Sequence, residues 1–293
     1  MDLRQLEFVV AVADEGGFTA GAATAHVAQP SLSARVRDLE RELGVELFHR
    51  LGRGARVSAA GEVVVDHART VLADVAALRS AAADVAGLLA GTLDLAALPT
   101  LAVDPLATLI GRFRLAHPAV TVRVAEADDA SGSGGVAGLV RSGRAEIGVV
   151  ELPIAAPDLD AVGLADQELL AISGPGTPIG ATAGPVDLRR LEGAPLVLTP
   201  PGTSSRRLVE AAFAAWGLVA SAAVEVAQRE AIVPLILAGA GIGFVPSAQA
   251  EAARAQGAAV ARLDPPLIRG IGLLQRRGRP SPAARAFLSM ATA

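Results

Sequence analysis

The chain has no cysteine and no lysine. Without cysteine there are no disulfides, no thiolate metal centre and no cysteine-based redox sensing. All 26 basic residues are arginine, which excludes a phosphate loop of the lysine-dependent kind. Histidine is scarce. The four residues, His26, His49, His67 and His117, have no spacing that puts two on one helix face, so neither a metal site nor a cofactor is expected. Long apolar runs are missing too: 52% of residues are apolar, but no run approaches the ~18 residues of a membrane span. The opening stretch "MDLRQLEFVVAVADEGG" carries an acid at position 2 and only a short apolar segment, unlike a secretory signal. The expectation is a cytoplasmic protein with no membrane partner.

What is present is enough chain for two or three domains, since 293 residues divide at roughly 100–200 per domain. The net charge of −4 does not suggest nucleic acid, but distribution matters more than the total. Residues 29–57 hold six arginines (35, 37, 41, 50, 53 and 56) against Asp38, Glu40, Glu42 and Glu46. That local excess is small, so geometry must carry the argument.

Leu3 to Ala13 reads as a helix with Leu6, Val9, Val10 and Ala13 on one side, ended by Gly16-Gly17. Thr19 is the expected cap of a second, small-residue helix to Ala25. His26-Val27-Ala28 makes a turn, and Pro30 opens a third helix to Leu43, where its missing N–H costs little. Leu32, Val36, Leu39 and Leu43 recur at helical spacing and share one face. Pro30, Ala34, Arg37 and Arg41 fall opposite, flanked by Ser33 and Asp38. This is the layout of a helix-turn-helix whose second helix enters the DNA major groove. The competing reading is a solvated helix whose arginines balance nearby acids. The segment "VELFHRLGRGARVSAAG" favours DNA: two short β-prone runs, 46–50 and 56–58, flank a Gly-rich tip and form a wing. Its Arg50, Arg53 and Arg56 are expected at phosphates or the minor groove.

After Gly61 comes a long helix. Val64, Ala68, Val71, Val75, Leu78, Ala82, Val85 and Leu89 alternate steps of four and three, the 3.5-residue period of helices that pair with helices. A homodimer through this seam sets the spacing of two DNA half-sites. A helix buried in a larger bundle is the alternative.

The stretch "FTAGAATAHVAQPSLSARVRDLERELGVELFHRLGRGARVSAAG" resembles the DNA-binding domain of LysR-type transcriptional regulators. Gln29, Pro30, Ser33, Leu39, Glu40, Leu43, Gly44, Leu47, Phe48, Arg50 and Gly61 fall at the family's fixed offsets. Gly21 and Ala25 stand where the family usually has Ala and Leu, which predicts a second helix packed with less volume. Ala28 replaces a capping Ser or Thr, at a cost of ~1 kcal/mol. Ala34 stands where relatives carry a polar side chain facing the bases, which shifts reading to Gln29, Ser33 and Arg37. A Gln at the helix start can pair with adenine N6 and N7 for ~1–3 kcal/mol of discrimination. Thr19, Gln29, Pro30, Ser31, Ser33, Ala34, Arg37, Arg50 and Arg53 are therefore the candidate DNA-binding residues. The resemblance also implies pairing of dimers into a homotetramer that bends double-stranded DNA at an inverted-repeat operator, with RNA polymerase as a further partner.

After Gly91 strand-like and helical runs alternate. "LDLAAL" (93–98), a helix near 105–116, "VTVRVAEA" (120–127), a helix near 136–142 and "EIGVV" (146–150) make one βαβαβ unit. "ELLAI" (168–172), an exposed loop from Gly174 to Pro185, "PLVLT" (195–199), a helix 204–216, "AVEVA" (223–227), a helix 230–238, "IGFVP" (242–246) and a helix through Gln256 make a second. "IRGIGLLQ" (268–275) and a helix 282–290 return to the first. The chain is thus expected to be an α+β multidomain protein. A winged helix-turn-helix occupies 1–58 and a dimerisation linker helix 59–90. A periplasmic-binding-protein-like α/β effector domain follows at 91–293, with subdomain one at about 91–161 and 267–293 and subdomain two at about 162–266.

Ligands of such sheets bind beyond the strand ends, between the units. Thr100 and Leu101, Asp128 and Ser131, Val150, Gly202, Thr203 and Ser204, and Pro246 are the candidates there. "GTSSRR" (202–207) joins a helix N-terminus, hydroxyls and an arginine, which suits a carboxylate or other anion. The family's effectors agree with that chemistry. Simple capping by Thr203 and Ser204, and an Arg206–Glu210 pair along the helix, remain the plain alternatives. Trp216 is expected in the core. An enzyme is disfavoured: "GAGIG" (239–243) precedes a strand instead of following one, and no GxSxG or clustered carboxylate motif is present. The other rival, a solute-binding protein or sensor without DNA binding, fits the last two-thirds of the chain but not the preceding winged helix.

Overall fold

A computed structural model describes residues 1–51, 54–85, 91–127, 132–175, 177, 179, 184–278 and 280–292. The head begins with α1 (Leu3–Glu15), α2 (Phe18–Thr24) and α3 (Gln29–Leu43). Asp2 and Gln5 form a reciprocal capping box on α1, and Gly16 ends it with φ 65°. Leu6, Phe8, Val9, Val12, Ala22, Leu32, Val36 and Leu39 form the core between the three helices. Gly21 differs from the expectation of lost volume. A Cβ there would lie 2.9 Å from the Val12 backbone nitrogen, so glycine is what lets α2 sit against the α1 backbone. Leu43 also departs: it is 39% exposed, past the edge of the core.

The strands β1 (Phe48–Leu51) and β2 (Gly54–Val57) pair antiparallel, Phe48 opposite Val57, and make the wing. The Glu40 carboxylate ties α3 to it by accepting from the Leu47 N–H at 2.8 Å. Ser58 starts α4 (Ala59–Val85), its hydroxyl accepting from the Gly61 N–H and donating to the Glu46 carbonyl. A Cβ on Gly61 would overlap the Leu47 carbonyl oxygen. The expected seam of α4 divides in two. Its Val64 and Ala68 pack on the head together with their neighbours Val65 and Leu72, because α4 must first close that core, and its Leu89 lies outside the described residues. Val71 and Leu78 are 42% and 71% exposed, so the open part of the seam begins at Val71.

The rest is built around one continuous mixed sheet. In chain order it contains β3 (Gly91–Ala97), β4 (Val120–Glu126), β5 (Ile147–Leu152), β6 (Leu159–Ser173), β8 (Leu196–Leu198), β9 (Ala222–Glu225), β10 (Ile242–Pro246) and β13 (Leu267–Arg276). Their spatial order is β4-β3-β5-β13-β6-β10-β8-β9, with β11 (Ala259–Ala261) also on β6. A further short parallel pair joins β7 (Val186–Asp187) and β12 (Leu263–Asp264). The first unit covers its strands with α6 (Ala107–Ala116), α7 (Gly132–Arg141) and α11 (Pro282–Ala291), and its core includes Leu95, Phe113, Val136, Ile147, Leu273 and Phe287. A one-turn α5 (Pro99–Leu101) precedes α6. The second unit carries α8 (Ser204–Ala214), α9 (Ile232–Leu237) and α10 (Ser247–Ala255), with Leu169, Leu198, Phe213 and Phe244 in one core and Ile172, Ile236 and Val245 in another.

The strand expected over 168–172 is instead 15 residues long. It pairs with β13 from Leu169↔Leu267 to Leu159↔Arg276, so β6 runs through the expected boundary near 161–162, whereas β13 begins at the expected position 267. The register shifts between Ile271 and Gly272, where Leu164 is left unpaired. The segment 174–185 is not simply an exposed loop, since Ile179 is 3% exposed and belongs to the second unit's core. Trp216 is 47% exposed with Arg189 stacked 4.9 Å from its ring, not in the core.

Candidate functional site

Two regions carry the expected chemistry. On α3 the residues Gln29, Pro30, Ser31, Arg37, Asp38 and Arg41 are exposed, while Leu32, Val36 and Leu39 are fully buried. The arginines are not equivalent. Arg35 faces Asp2 at 3.5 Å and Arg41 pairs with Asp38. Arg37 has no carboxylate within 4.0 Å among the described residues, and its Nε donates to the Ser33 carbonyl at 3.1 Å. The plain reading thus holds for Arg41 and not for Arg37.

Ser33 departs from its expected place on the outer face. It is 4% exposed and its hydroxyl bonds the Gln29 side-chain amide at 2.9 Å. At ~100° per residue it lies only ~60° from Val36 on the leucine face, so its side chain turns inward and holds the Gln29 amide. Ala34 is half-buried. Thr19 is exposed inside α2, not its cap: Gly17 holds that position without a side-chain bond. Ala28 caps α3 without a side-chain bond either, as its residue type predicts. The Arg50 backbone pairs with Ala55 in the wing, and Arg53 lies outside the described residues.

The second region lies where the units meet, around Arg269. This guanidinium is 3% exposed, yet it has no carboxylate within 4.0 Å among the described residues. Its Nε and one terminal nitrogen donate to the Gln167 side-chain Oε1 at 2.8 and 2.5 Å. Its other terminal nitrogen reaches the Thr100 hydroxyl of the first unit at 3.2 Å and the Ser204 hydroxyl of the second at 3.3 Å. Arg269 and Gln167 are direct partners in the β13–β6 pairing, which is why both side chains emerge on the same side. Burial pushes the Arg269 guanidinium down to about 10; Glu151 and Asp104 act in the opposite direction, and Arg229 adds to the fall. Glu151, at the end of β5, accepts from the Ser204 hydroxyl across the gap. Gln167 donates to Asp104 Oδ2 at 2.6 Å and to the Asp104 carbonyl at 2.9 Å.

Of the expected effector residues among the described ones, Thr100 and Ser204 join this cluster. Leu101 and Val150 are fully buried in the first unit's core. A side chain following a strand end points inward as often as outward, and these two are apolar. Pro246 is buried at the end of β10. Thr203 is 4% exposed and donates to the Pro200 carbonyl at 2.8 Å. Gly202 is exposed at φ 84° and accepts from the Arg207 side chain. Arg206 turns inward to Glu210 at 2.6 Å, the plain helix pair. Asp128 and Ser131 lie outside the described residues. Sequence reasoning missed Arg269, Gln167 and Asp104. The one available signal was a lone arginine inside the apolar run "PPLIRGIGLL" (265–274), since arginine in a buried strand is rare without a purpose.

A winged helix-turn-helix followed by a long helix and a two-unit α/β module defines a DNA-binding regulator with a ligand-binding domain. Comparison with known proteins agrees. Residues 3–62 match the bacterial regulatory helix-turn-helix protein, lysR family, and residues 86–293 match the LysR substrate binding domain. The HTH-type transcriptional regulator IlvR of Caulobacter vibrioides is 30% identical over 299 aligned positions, covering 100% of this chain and 98% of that protein. A full-length OxyR point variant from Pseudomonas aeruginosa superposes with a TM-score of 0.80 at 25% identity, covering 99% of this chain and 93% of the other. Full-length CbnR complexed with its target DNA shares the fold, with a TM-score of 0.68 at 24% identity and 99% coverage of both chains. The chain belongs to the LysR family of transcriptional regulators, which are transcription factors and not enzymes. The solute-binder alternative without DNA binding does not account for the helix-turn-helix match. No described helix is long and apolar enough to cross a membrane.

Proposed function

We propose that this regulator holds a small anionic effector, a carboxylate or similar group, between its two units, and that the effector sets the geometry in which DNA is held. The carrying observation is Arg269: a guanidinium 3% exposed, without an ion pair among the described residues, touching a hydroxyl from each unit. A buried charge of this kind is held at a desolvation cost that an anion offsets. Thr100 and Ser204 then close on the same ligand from opposite sides.

On the DNA side, Gln29, Pro30, Ser31, Ala34 and Arg37 face the major groove, with Thr19, Arg50 and Arg53 at phosphates. Chains pair as homodimers through the seam that opens at Val71 and Leu78, and dimers pair into a tetramer on an inverted-repeat operator. Effector binding changes the angle between the units, hence the bend of the DNA and the contact with RNA polymerase, in the cytoplasm. Coupling of this kind needs unequal effector affinity for two states, ~1–3 kcal/mol. The test is a nuclease footprint and a bend assay with and without a cleft-saturating ligand. A changed footprint supports the reading; an unchanged footprint and bend refute it.

A further inference from the structure

The surroundings of Arg269 restrict what the ligand is. Two carboxylates flank this guanidinium, each one uncharged group away. Ser204 stands between it and Glu151, accepting from Arg269 and donating to Glu151. Gln167 stands between it and Asp104, its carbonyl oxygen on Arg269 and its amide on Asp104 Oδ2. Each carboxylate uses one oxygen in this way. Glu151 Oε1 and Asp104 Oδ1 have no side-chain donor among the described residues. Arg229 adds a second positive charge to this field and offsets part of it, but a simple carboxylate laid on Arg269 would still stand beside the open oxygen of Glu151, and like charges that close disfavour each other. A ligand that also brings a positive group removes the conflict.

Resting on the cleft reading above, we infer that the effector is a small zwitterion of the α-amino acid type, its carboxylate on Arg269 and its ammonium on Glu151. The spacing fits this class. The Ser204 hydroxyl alone bridges Arg269 and Glu151. The carboxylate and ammonium of an α-amino acid likewise sit on one carbon. Such a ligand replaces the long hydroxyl contacts of Arg269 with charge-assisted bonds and supplies donors to the open oxygen of Glu151. Asp104 adds to the negative field that holds the ammonium and stays bonded to Gln167.

The test measures binding to the full chain, by calorimetry and by thermal shift, of paired probes with the same skeleton. Glycine, L-alanine, L-leucine and L-phenylalanine are compared with acetate, propionate, 4-methylpentanoate and 3-phenylpropionate. At least one amino acid is expected to bind about 10-fold or more tightly than its deaminated partner, the factor that ~1.4 kcal/mol supplies. Glu151→Gln is expected to collapse that ratio to near one, with the plain carboxylate gaining and the amino acid losing. Equal binding of both series, a ratio unmoved by Glu151→Gln, or silence of every amino acid overturns the inference. Arg269→Lys and Thr100→Val separate this from the cleft reading, with circular dichroism confirming that each is folded. Carboxylates that bind as well as amino acids and are lost in these variants leave the cleft standing without the zwitterion. Binding of either series that survives Thr100→Val and Arg269→Lys places the ligand elsewhere and removes the cleft reading itself.

Discussion

Replacing Arg37 with alanine asks whether α3 reads DNA or only faces water. Arg37 is exposed, and its described hydrogen bond runs from Nε to the Ser33 carbonyl within the same helix. Such a bond contributes ~0.5–1.5 kcal/mol at most, so the variant should fold. Its terminal nitrogens are left for DNA. On a guanine edge, their loss costs ~1–3 kcal/mol, about 5- to 150-fold in affinity, confined to one base position. On a phosphate, the loss is the same for every sequence. The slope of log K against log salt then shrinks by ~0.9, so a rise from about 50 to about 200 mM salt costs the variant about 3.5-fold less than the parent. The assay is fluorescence anisotropy on an operator selected from a random duplex library, repeated across that salt range. Arg41→Ala is the internal control, because Arg41 pairs with Asp38 and is 78% exposed. Its removal should change affinity by less than ~3-fold. Equal losses for Arg37→Ala and Arg41→Ala, or an Arg37→Ala variant with unchanged affinity and slope, would refute the assignment.

Leu78→Arg leaves the described cores untouched, since Leu78 is 71% exposed. Sedimentation should show the assembly dissociating with helical content retained, and an intact dimer would remove the α4 seam from the interface. Gly61→Ala places a methyl against the Leu47 carbonyl and the Val57 side chain, and the overpacking should cost ~1–3 kcal/mol, seen as a lower unfolding midpoint; an unchanged midpoint contradicts the close approach. Glu146→Gln addresses pH. Burial raises the Glu146 carboxyl above its ordinary 4.5, a hydrogen bond from Ser281 opposing and Asp94 adding. The folded state therefore holds that proton more tightly than the unfolded chain, so stability is greatest below 4.5 and falls as pH rises through the folded value. The Gln variant should melt higher than the parent at neutral pH, with the advantage vanishing toward pH 4.5, and a parallel offset at all pH values would contradict this.

The head was legible because its signals are local. Leu32, Val36 and Leu39 lie on one face by spacing alone, and Gly16 and Gly44 mark helix ends with left-handed backbones that glycine adopts freely. The alternation of strands and helices was legible for the same reason. What escaped depends on partners far along the chain. Arg269 and Gln167 are 102 residues apart and meet only because β6 and β13 pair in one register. The first half of β6, "LDAVGLADQE" (159–168), carries glycine and acids that hide a strand, and pairing with β13 overrides that weak local preference. The glycine-hydroxyl-arginine segment at 202–207 pointed to the right helix end, but whether Arg206 or a distant arginine would reach into the gap was not a local question.

Because β6 and β13 thread through both units side by side, relative rotation of the units has to be a twist of that two-stranded ribbon, with Leu164 and Gly272 at the irregular step. Arg269 rides on the ribbon itself, close to the pivot, whereas Thr100 and Ser204 swing with the lobes. A group at a pivot meets its ligand alike in the open and shut forms and so supplies grip without preference. On the proposed cleft reading, the lever that would convert occupancy into motion is therefore the pair of hydroxyls on the two lobes, and the guanidinium would be only the peg on which the ligand hangs.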